Sequence, residues 1–244
     1  MKIRNEDYEG PWVQIGIDTP IRFNKKRKVI FKFEGNRIIW FNGNKEYFPF
    51  IAIPIKKLGD YSKEVEIGSR FLSVLAFRFN RPIRRLGGYS AGHGVTRYPR
   101  KLGDHIFSVP AYDSFSLPSR KEKRLALALY REGLDYHNSF YAFLSLYKIF
   151  EIQFGKNTKA IKNWINNHVD KVRDAMSLRR LDEIRKINPD IGDYLYKSER
   201  CAVAHARSDP IIDPDETEDY FNISKDRWLL QYLAKIFIGS GVFD

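Results

Sequence analysis

The chain has 244 residues, of which 43% are hydrophobic, 15% aromatic and 30% charged. With 16 Gly, 11 Pro and a single Cys, this composition excludes a collagen-like, a disulfide-rich or an intrinsically disordered protein. The net charge of +12 comes mostly from residues 1–118, which hold 21 Lys or Arg against 11 Asp or Glu. Such an excess favours a polyanionic partner, a nucleic acid or a nucleotide, and a basic bias without any partner is an equal alternative.

The sequence gives no sign of export or of membrane insertion. Cys201 stands alone and residues 1–7 contain no apolar stretch, so we expect a reducing, cytoplasmic setting without a secretory signal. The longest apolar runs, residues 48–55 and 149–154, are too short to cross a bilayer.

The first half of the chain has the pattern of a β-rich domain. Between residues 12 and 55, β-branched and aromatic residues alternate with polar ones, and turns rich in Asp, Gly and Asn separate the runs. This pattern predicts strands over residues 13–17, 29–33 and 37–41. Apolar residues at helical spacing predict a helix over 64–79. Residues 80–118 are rich in Pro, Gly, Ser and Arg and predict loops with one more strand at 106–109.

From residue 119 onward the pattern is helical. The apolar spacing predicts helices near residues 119–134, 138–154, 158–170, 174–187, 190–207 and 216–238. Asn138 and Thr158 are residue types that cap helix N-termini, and Gly155 is of the type that ends helices. The second of these helices is apolar on nearly every side, so we expect it to lie at the centre of a bundle or to face a partner subunit.

These patterns predict an α+β protein with two domains. A basic β-rich domain over residues 1–118 precedes an all-α helical domain over residues 119–244.

The segment Gly88-Tyr89-Ser90-Ala91-Gly92 matches the G-x-S-x-G pattern of a nucleophile elbow. An elbow needs a buried strand, a tight turn that presents the Ser, and a helix directly after it. Here a basic, Pro-containing segment precedes the motif and no helix start follows it. An acyl hydrolase is therefore a remote alternative.

The same stretch is better interpreted as an anion-binding loop. Its cations occur without an acidic residue before Asp104, and its Gly residues let backbone N–H groups approach a phosphate. The candidate contacts with RNA or a nucleotide are Arg81, Arg84, Arg85, His93 and Arg97. A loop whose cations are merely solvated is the alternative.

An acidic cluster precedes the last predicted helix. Its members are Asp213, Asp215, Glu216, Glu218 and Asp219. The cluster lacks the central Gly and the final Glu of a calcium loop, so we expect it to complement the dipole of the helix N-terminus. No His or Cys residues have the spacing of metal ligands, and we predict neither a metal nor another cofactor.

Three segments carry a resemblance to a known family. They are Tyr130-Arg131-Glu132-Gly133, the run from Tyr141 to Glu151, and the Arg200-x4-His205 pair. Over residues 119–240 the chain resembles a HEPN domain, more narrowly the methylamine-utilisation J proteins and the HEPN half of the ApeA-type antiphage nucleases. The resemblance implies a metal-independent RNA endonuclease that acts as a homodimer in prokaryotic antiphage defence or toxin-like RNA cleavage. It makes Arg200 and His205 the candidate catalytic pair.

These two residue types suit RNA cleavage. A His titrates near neutral pH and can transfer the proton of the 2′-hydroxyl or of the leaving group, and an Arg offers a positive fork to the phosphorane. Residues five apart on an ideal helix point about 140° apart. The helix therefore ends between Arg200 and His205, or each residue acts with its counterpart in a second subunit.

Glu151 is the third candidate catalytic residue, because a carboxylate on this apolar helix needs a partner and Arg200 would provide one. The alternative is an exposed Lys148–Glu151 pair one helical turn apart.

We expect the basic front domain to bind RNA or a nucleotide trigger, and another protein of the defence system is a further expected partner. The alternative function is a non-catalytic dimeric module that binds nucleic acid or a partner protein. Cys201 favours this alternative, because many active HEPN motifs have Asn, Asp or His directly after the Arg.

Overall fold

The structure is a computed structural model of the chain. It describes residues 11–23, 28–44, 46–59, 61–86, 90–92, 107–109, 115–135, 138–197, 203, 212, 213 and 215–244. The chain divides into two compact units, Met1–Pro118 and Ser119–Asp244. The first unit contains a β-sheet with one long helix and the second is helical, so the predicted α+β class is confirmed.

The N-terminal unit is built on an antiparallel sheet. Its strands are β1 (Trp12–Asp18), β3 (Lys28–Phe33), β4 (Asn36–Phe41), β5 (Phe50–Pro54), β6 (Arg84–Arg85) and β7 (Ser90–Gly92). Their order is β3-β4-β5-β1-β6, and β7 also pairs with β1. Two further strands, β2 (Ile21–Phe23) and β8 (Phe107–Val109), pair in parallel with each other. The four predicted strands are therefore confirmed, whereas β2, β5, β6 and β7 were not predicted.

One helix, α1 (Ser62–Phe79), packs on this sheet and closes its core. A Cβ atom at Gly68 would lie 2.8 Å from Ile15 Cδ1, so the absence of a side chain lets the helix approach the central strand. Further along, the Phe71 ring lies 5.1 Å from the Phe31 ring and 5.4 Å from the Phe33 ring. These contacts bury the inward residues of β3 and make the sheet a rigid platform.

The C-terminal unit is a helical bundle. Its helices are α2 (Lys121–Gly133), α3 (Ser139–Phe154), α4 (Thr158–Asn166), α5 (Ala175–Ile187), α6 (Ile191–Tyr194) and α7 (Thr217–Gly239), with a 3₁₀ turn at Val169–Lys171. The helix predicted over 158–170 ends at Asn166. The one predicted over 190–207 is described only as α6, a π-helical turn at 195–197 and a helical residue at 203.

Helix α3 lies at the centre of the bundle, which confirms one of the two expectations for it. Phe143, Leu146 and Phe150 are fully buried, and the Phe150 ring lies 4.8 Å from the Phe237 ring of α7. A Cβ atom at Gly133 of α2 would overlap the side chain of Leu146. The apolar character of α3 is therefore explained within one subunit and needs no partner.

Two of the three predicted caps are confirmed. The Asn138 side chain accepts a hydrogen bond from the Tyr141 N–H at 3.0 Å, and Gly155 ends α3 with a φ of 57°. The prediction for Thr158 is wrong, since the side chain of Asn157 accepts the bond from the Ala160 N–H. Thr158 is the first residue of α4 itself.

No helix in the described ranges is both long enough and apolar enough to cross a membrane.

Candidate functional site

Arg200 and His205, like Cys201 between them, lie outside the described residues. The structure shows how the chain approaches them, because residues 138–197 are described without a gap. We call residues 190–197 the lead-in segment. It ends three residues before Arg200.

The lead-in segment is held against α4 by backbone contacts. A Cβ atom at Gly192 would lie 2.5 Å from the carbonyl oxygen of Lys162, so only Gly fits at this crossing. The Gly192 N–H donates to Asn166 Oδ1 at 2.8 Å, and Asn166 Nδ2 donates to Asp190 Oδ1 at the same distance. The close approach and the two hydrogen bonds fix the start of the segment.

A group of charged side chains holds the end of the segment. Lys162 Nζ lies 2.6 Å from Asp193 Oδ1 and 4.6 Å from the centre of the Tyr196 ring, and Lys197 Nζ lies 3.0 Å from Asp193 Oδ2. Hydrogen bonds from Lys162, and then from Lys197, lower the pKa of Asp193 below its ordinary value. The carboxylate therefore stays ionised and keeps both ammonium groups in place.

A buried ion pair ties the same segment to α5 and α7. Arg180 Nε donates to Asp226 Oδ1 at 2.6 Å and Arg180 Nη2 donates to Asp226 Oδ2 at 2.9 Å, with Asp226 fully buried. Tyr194 joins the pair, since its hydroxyl accepts from Arg180 Nη2 at 3.0 Å and donates to Asp226 Oδ2 at 3.1 Å. Burial alone would lower the pKa of Arg180, but the bonds to Asp226 raise it above its ordinary value.

The segment also touches α3 on the face that carries Glu151. The Tyr196 ring lies 6.4 Å from the ring of Tyr147, and Tyr147 is one helical turn before Glu151. Glu151 is half-buried, and no ion pair joins it to the exposed Lys148 within the described ranges. The alternative of a Lys148–Glu151 pair is therefore wrong, while the predicted contact of Glu151 with Arg200 stays a prediction.

The segment Tyr130-Arg131-Glu132-Gly133, which carried part of the resemblance, is structural in this fold. Tyr130 is fully buried and hydrogen-bonded to Gln231 of α7, and burial raises the pKa of its hydroxyl. The Gly133 carbonyl accepts a bond from Arg227 Nη1 at 3.3 Å. These contacts join α2 to α7 around the central helix.

Arg227 is an unusual member of this packing. It is only 2% exposed, and it has no carboxylate partner among the ion pairs of the described residues. Its guanidinium lies 4.3 Å above the Trp228 ring, and burial lowers its pKa. The carbonyl of Gly133 and this ring replace the anion that a buried cation usually requires.

The predicted anion-binding loop is partly a strand. Arg84 and Arg85 form β6 and pair with Asp18 and Ile17 of β1. Their side chains are engaged within the protein, because Arg84 Nη2 lies 2.9 Å from Asp18 Oδ2 and Arg85 Nη1 donates to Ser69 Oγ at 3.0 Å.

The other predicted contacts of that loop are less exposed or lie elsewhere. Arg81 Nη1 donates to the Asn80 carbonyl at 3.1 Å. His93 and Arg97 lie outside the described residues.

Ser90 is not the nucleophile of an elbow. It belongs to strand β7 and pairs with Gln14 of β1, whereas an elbow places the Ser in a turn that follows a strand. The structure therefore supports setting the acyl-hydrolase reading aside.

The acidic cluster has the structural role that was predicted for it. Glu218 and Asp219 lie in the first turn of α7, and the Asp219 side chain accepts a bond from the Asp213 N–H at 2.9 Å. No group of three or more His, Cys, Asp or Glu that could hold a metal ion occurs within the described ranges.

Sequence analysis missed one cationic surface. Residues 22–37 contain seven Lys or Arg and a single acidic residue, Glu34. The signal was the run Lys25-Lys26-Arg27-Lys28, which was overlooked because the search for phosphate sites followed Gly residues.

Comparison with known proteins identifies part of the chain. The family model described as methylamine utilization protein MauJ matches residues 126–239, just under half of the chain and wholly within the helical unit. No curated protein and no solved structure matches the chain. Residues 126–239 are therefore similar to the MauJ family, which agrees with the resemblance to methylamine-utilisation J proteins.

Proposed function

We propose that the chain is a metal-independent RNA endonuclease of the HEPN type, with Arg200 and His205 as its catalytic pair. It would act in the cytoplasm as a homodimer, in antiphage defence or toxin-like RNA cleavage. The similarity of residues 126–239 to the MauJ family supports the helical unit as the catalytic one.

The observation that carries this proposal is the rigidity of the lead-in segment. Gly192, Asp193 and Tyr194 are each fixed to a different part of the bundle, directly before the Arg200-x4-His205 pair. Catalytic groups must be held within about 0.5 Å of their productive positions, and this requires a fixed backbone. A segment that only filled surface would not need a buried ion pair and a backbone crossing to hold it.

The chemistry needs two proton transfers. In the proposed reaction the 2′-oxygen of the ribose attacks the phosphorus and the bond to the 5′-oxygen breaks, which leaves a 2′,3′-cyclic phosphate and a 5′-hydroxyl. His205 takes the proton of the 2′-hydroxyl, and His205 of the partner subunit returns a proton to the 5′-oxygen. Arg200 stabilises the charge on the phosphorane, and Glu151 orients the Arg200 guanidinium.

The test is cleavage of total RNA in EDTA by the wild type and by His205→Ala, followed by analysis of the product ends. Arg200→Ala is compared with Arg179→Ala, which removes an exposed Arg of α5 from the same unit. We expect 2′,3′-cyclic ends from the wild type and from Arg179→Ala, and a loss of at least a hundredfold in the other two variants. Full activity of His205→Ala would contradict the proposal.

A second candidate function is nucleic-acid binding without cleavage. The observation that favours it is the set of exposed cations in the N-terminal unit, since binding alone would explain them. Salt-dependent RNA binding by a wild type that leaves RNA intact, even with nucleotides or extract of phage-infected cells added, would support this candidate over the nuclease.

A further inference from the structure

The most concentrated positive charge of the described structure outside the predicted loop lies on strands β2, β3 and β4. The exposed or half-exposed cations there are Arg22, Lys28, Lys32 and Arg37, which we call the hairpin surface. The one acidic residue between them, Glu34, accepts a hydrogen bond from the Leu117 N–H at 3.0 Å. Its carboxylate therefore faces a neighbouring backbone segment.

Strand alternation gives the hairpin surface its direction. In β3, Val29, Phe31 and Phe33 are buried, and the residues between them point to the other face. Lys32 is exposed and lies directly opposite Arg37, which is also exposed. Two like charges facing each other across a strand pair destabilise it, so the fold retains this pair at a cost.

Strand β2 belongs to the same rigid piece. The Phe23 ring lies 5.2 Å from the rings of Phe31 and Trp40, and the Asn42 side chain bonds both the N–H and the carbonyl of Phe23. Arg22 lies between two buried residues of β2 and is exposed. The connection between β2 and β3 adds Lys25, Lys26 and Arg27 in sequence.

A simpler explanation covers only part of this surface. Strand β3 is at the edge of the described sheet, and Lys residues on edge strands prevent pairing with other chains. That role accounts for Lys28 and Lys32. It does not account for Arg37 on the inner neighbour β4, or for Arg22 on a separate strand.

The cations of the predicted loop are in a different situation. Arg84 is paired with Asp18 and Arg85 is bonded to Ser69, so part of their charge and hydrogen-bonding capacity is used within the protein. Lys32 and Arg22, in contrast, appear in no ion pair or side-chain hydrogen bond of the described structure. They keep their donors available for an external anion.

We propose that the hairpin surface binds the phosphate backbone of single-stranded RNA. This inference rests on the proposed function, since it places the grip on the substrate in the N-terminal unit. The row from Lys28 to Lys32 spans four residue steps, about 13 Å of extended strand, and so presents charges in a line as an extended polyanion does. Ile30, 41% exposed between the two Lys residues, offers an apolar contact to a base.

The experiment measures binding apart from cleavage. A fluorescent 2′-O-methyl oligouridine cannot be cut through its 2′-oxygen, so its anisotropy reports affinity even if the protein is a nuclease. The test variant is Arg22→Gln/Lys32→Gln/Arg37→Gln in the full chain. The matched control is Lys56→Gln/Lys57→Gln/Lys63→Gln, which removes the same charge from exposed positions of the same unit.

We expect the test variant to bind about tenfold more weakly at 0.1 M salt, with the control within about twofold of the wild type. The slope of log K against log salt should fall by about 2, since each phosphate contact on a single strand contributes about 0.7. Circular dichroism and thermal melting of both triple variants show whether either is unfolded.

Three results would overturn the proposal. An equal loss in both triple variants would reduce the effect to net charge, and it would leave the nuclease proposal intact. Binding by the wild type to anionic phosphatidylserine vesicles but not to the oligonucleotide would assign the surface to lipid. Cleavage of RNA by a wild type whose affinity the test variant shares would separate the two proposals, because catalysis would stand and this surface would not.

Discussion

The two units of this protein use their cations in opposite ways. In the helical unit Arg180 lies on Asp226 and Lys162 lies on Asp193, and these pairs join helices that are far apart in sequence. In the N-terminal unit Arg22, Lys32 and Arg37 are exposed on the outside of a sheet whose core is apolar. Charge in the first case holds the scaffold together, and in the second case it remains available to a partner.

This difference explains the uneven net charge of the chain. Residues 119–244 hold 21 Lys or Arg against 19 Asp or Glu, because a scaffold built on ion pairs needs both signs. Residues 1–118 hold 21 against 11, because apolar contacts between strands and helix need neither. The imbalance therefore marks the part of the molecule whose surface charge is not consumed by folding.

The largest effect that would break this comparison is loss of the buried pair. We expect Asp226→Asn to lower the free energy of unfolding of the helical unit by about 3–5 kcal/mol, because Arg180 would remain buried without its anion. Urea unfolding followed by circular dichroism at 222 nm measures it. Arg180→Met/Asp226→Leu should cost clearly less than the single change. A single change that cost under about 1 kcal/mol would show that the pair is not part of the scaffold.

A backbone crossing gives the next effect in size. Gly192→Ala should cost about 1–3 kcal/mol, because its Cβ would meet the Lys162 carbonyl and the backbone of α4 would have to move. It should also reduce RNA cleavage by displacing the lead-in segment. Gly59→Ala is the control, since a Cβ there meets nothing within 4 Å. If both variants melt at the temperature of the wild type, the segment is not held as we describe.

The Asp193 carboxylate makes the comparison dependent on pH. Its pKa is lowered in the folded state, so it stabilises the fold above its unfolded pKa near 3.8 and loses this contribution as the pH falls through the lower folded value. We expect Asp193→Asn to cost about 1 kcal/mol at pH 7 and almost nothing near pH 2. Unfolding titrations at both pH values check this. An equal cost at the two pH values would rule out the ionised form as the source.

The smallest effect lies on the hairpin surface and has the opposite sign. Lys32→Glu replaces the like charges across β3 and β4 by an attractive pair with Arg37, so the N-terminal unit should gain a few tenths of a kcal/mol. The same change should weaken binding of the oligouridine more than Lys32→Gln does. Thermal melting and anisotropy measure the two quantities. A variant that lost stability would show that the pair is not strained in the wild type.

Periodicity predicted most of the elements, and its failures have physical causes. Strand β5 was missed because Phe50, Ile51, Ala52 and Ile53 are all buried, and a strand covered on both faces has no alternation. Strands β6 and β7 are short and have no strand-like composition. They exist because each pairs with β1, a contact that no local pattern shows.

The candidate site was predicted unevenly for similar reasons. That Glu151 would be half-buried on a central helix followed from the apolar run around it. That Arg84 would pair with Asp18 did not, because the two residues are 66 positions apart and meet only through the sheet. The lead-in segment was read as a plain helix, since neither its π-helical turn nor its close approach at Gly192 leaves a periodic signal.

The central claim is that the helical unit cuts RNA through His205 while the N-terminal unit grips it. The most direct test measures, on the same preparations, RNA cleavage in EDTA and affinity for the uncleavable oligouridine for the wild type and His205→Ala. We predict that His205→Ala loses cleavage with its 2′,3′-cyclic products and binds the oligonucleotide within about twofold of the wild type. Cleavage by His205→Ala at the wild-type rate would contradict the account.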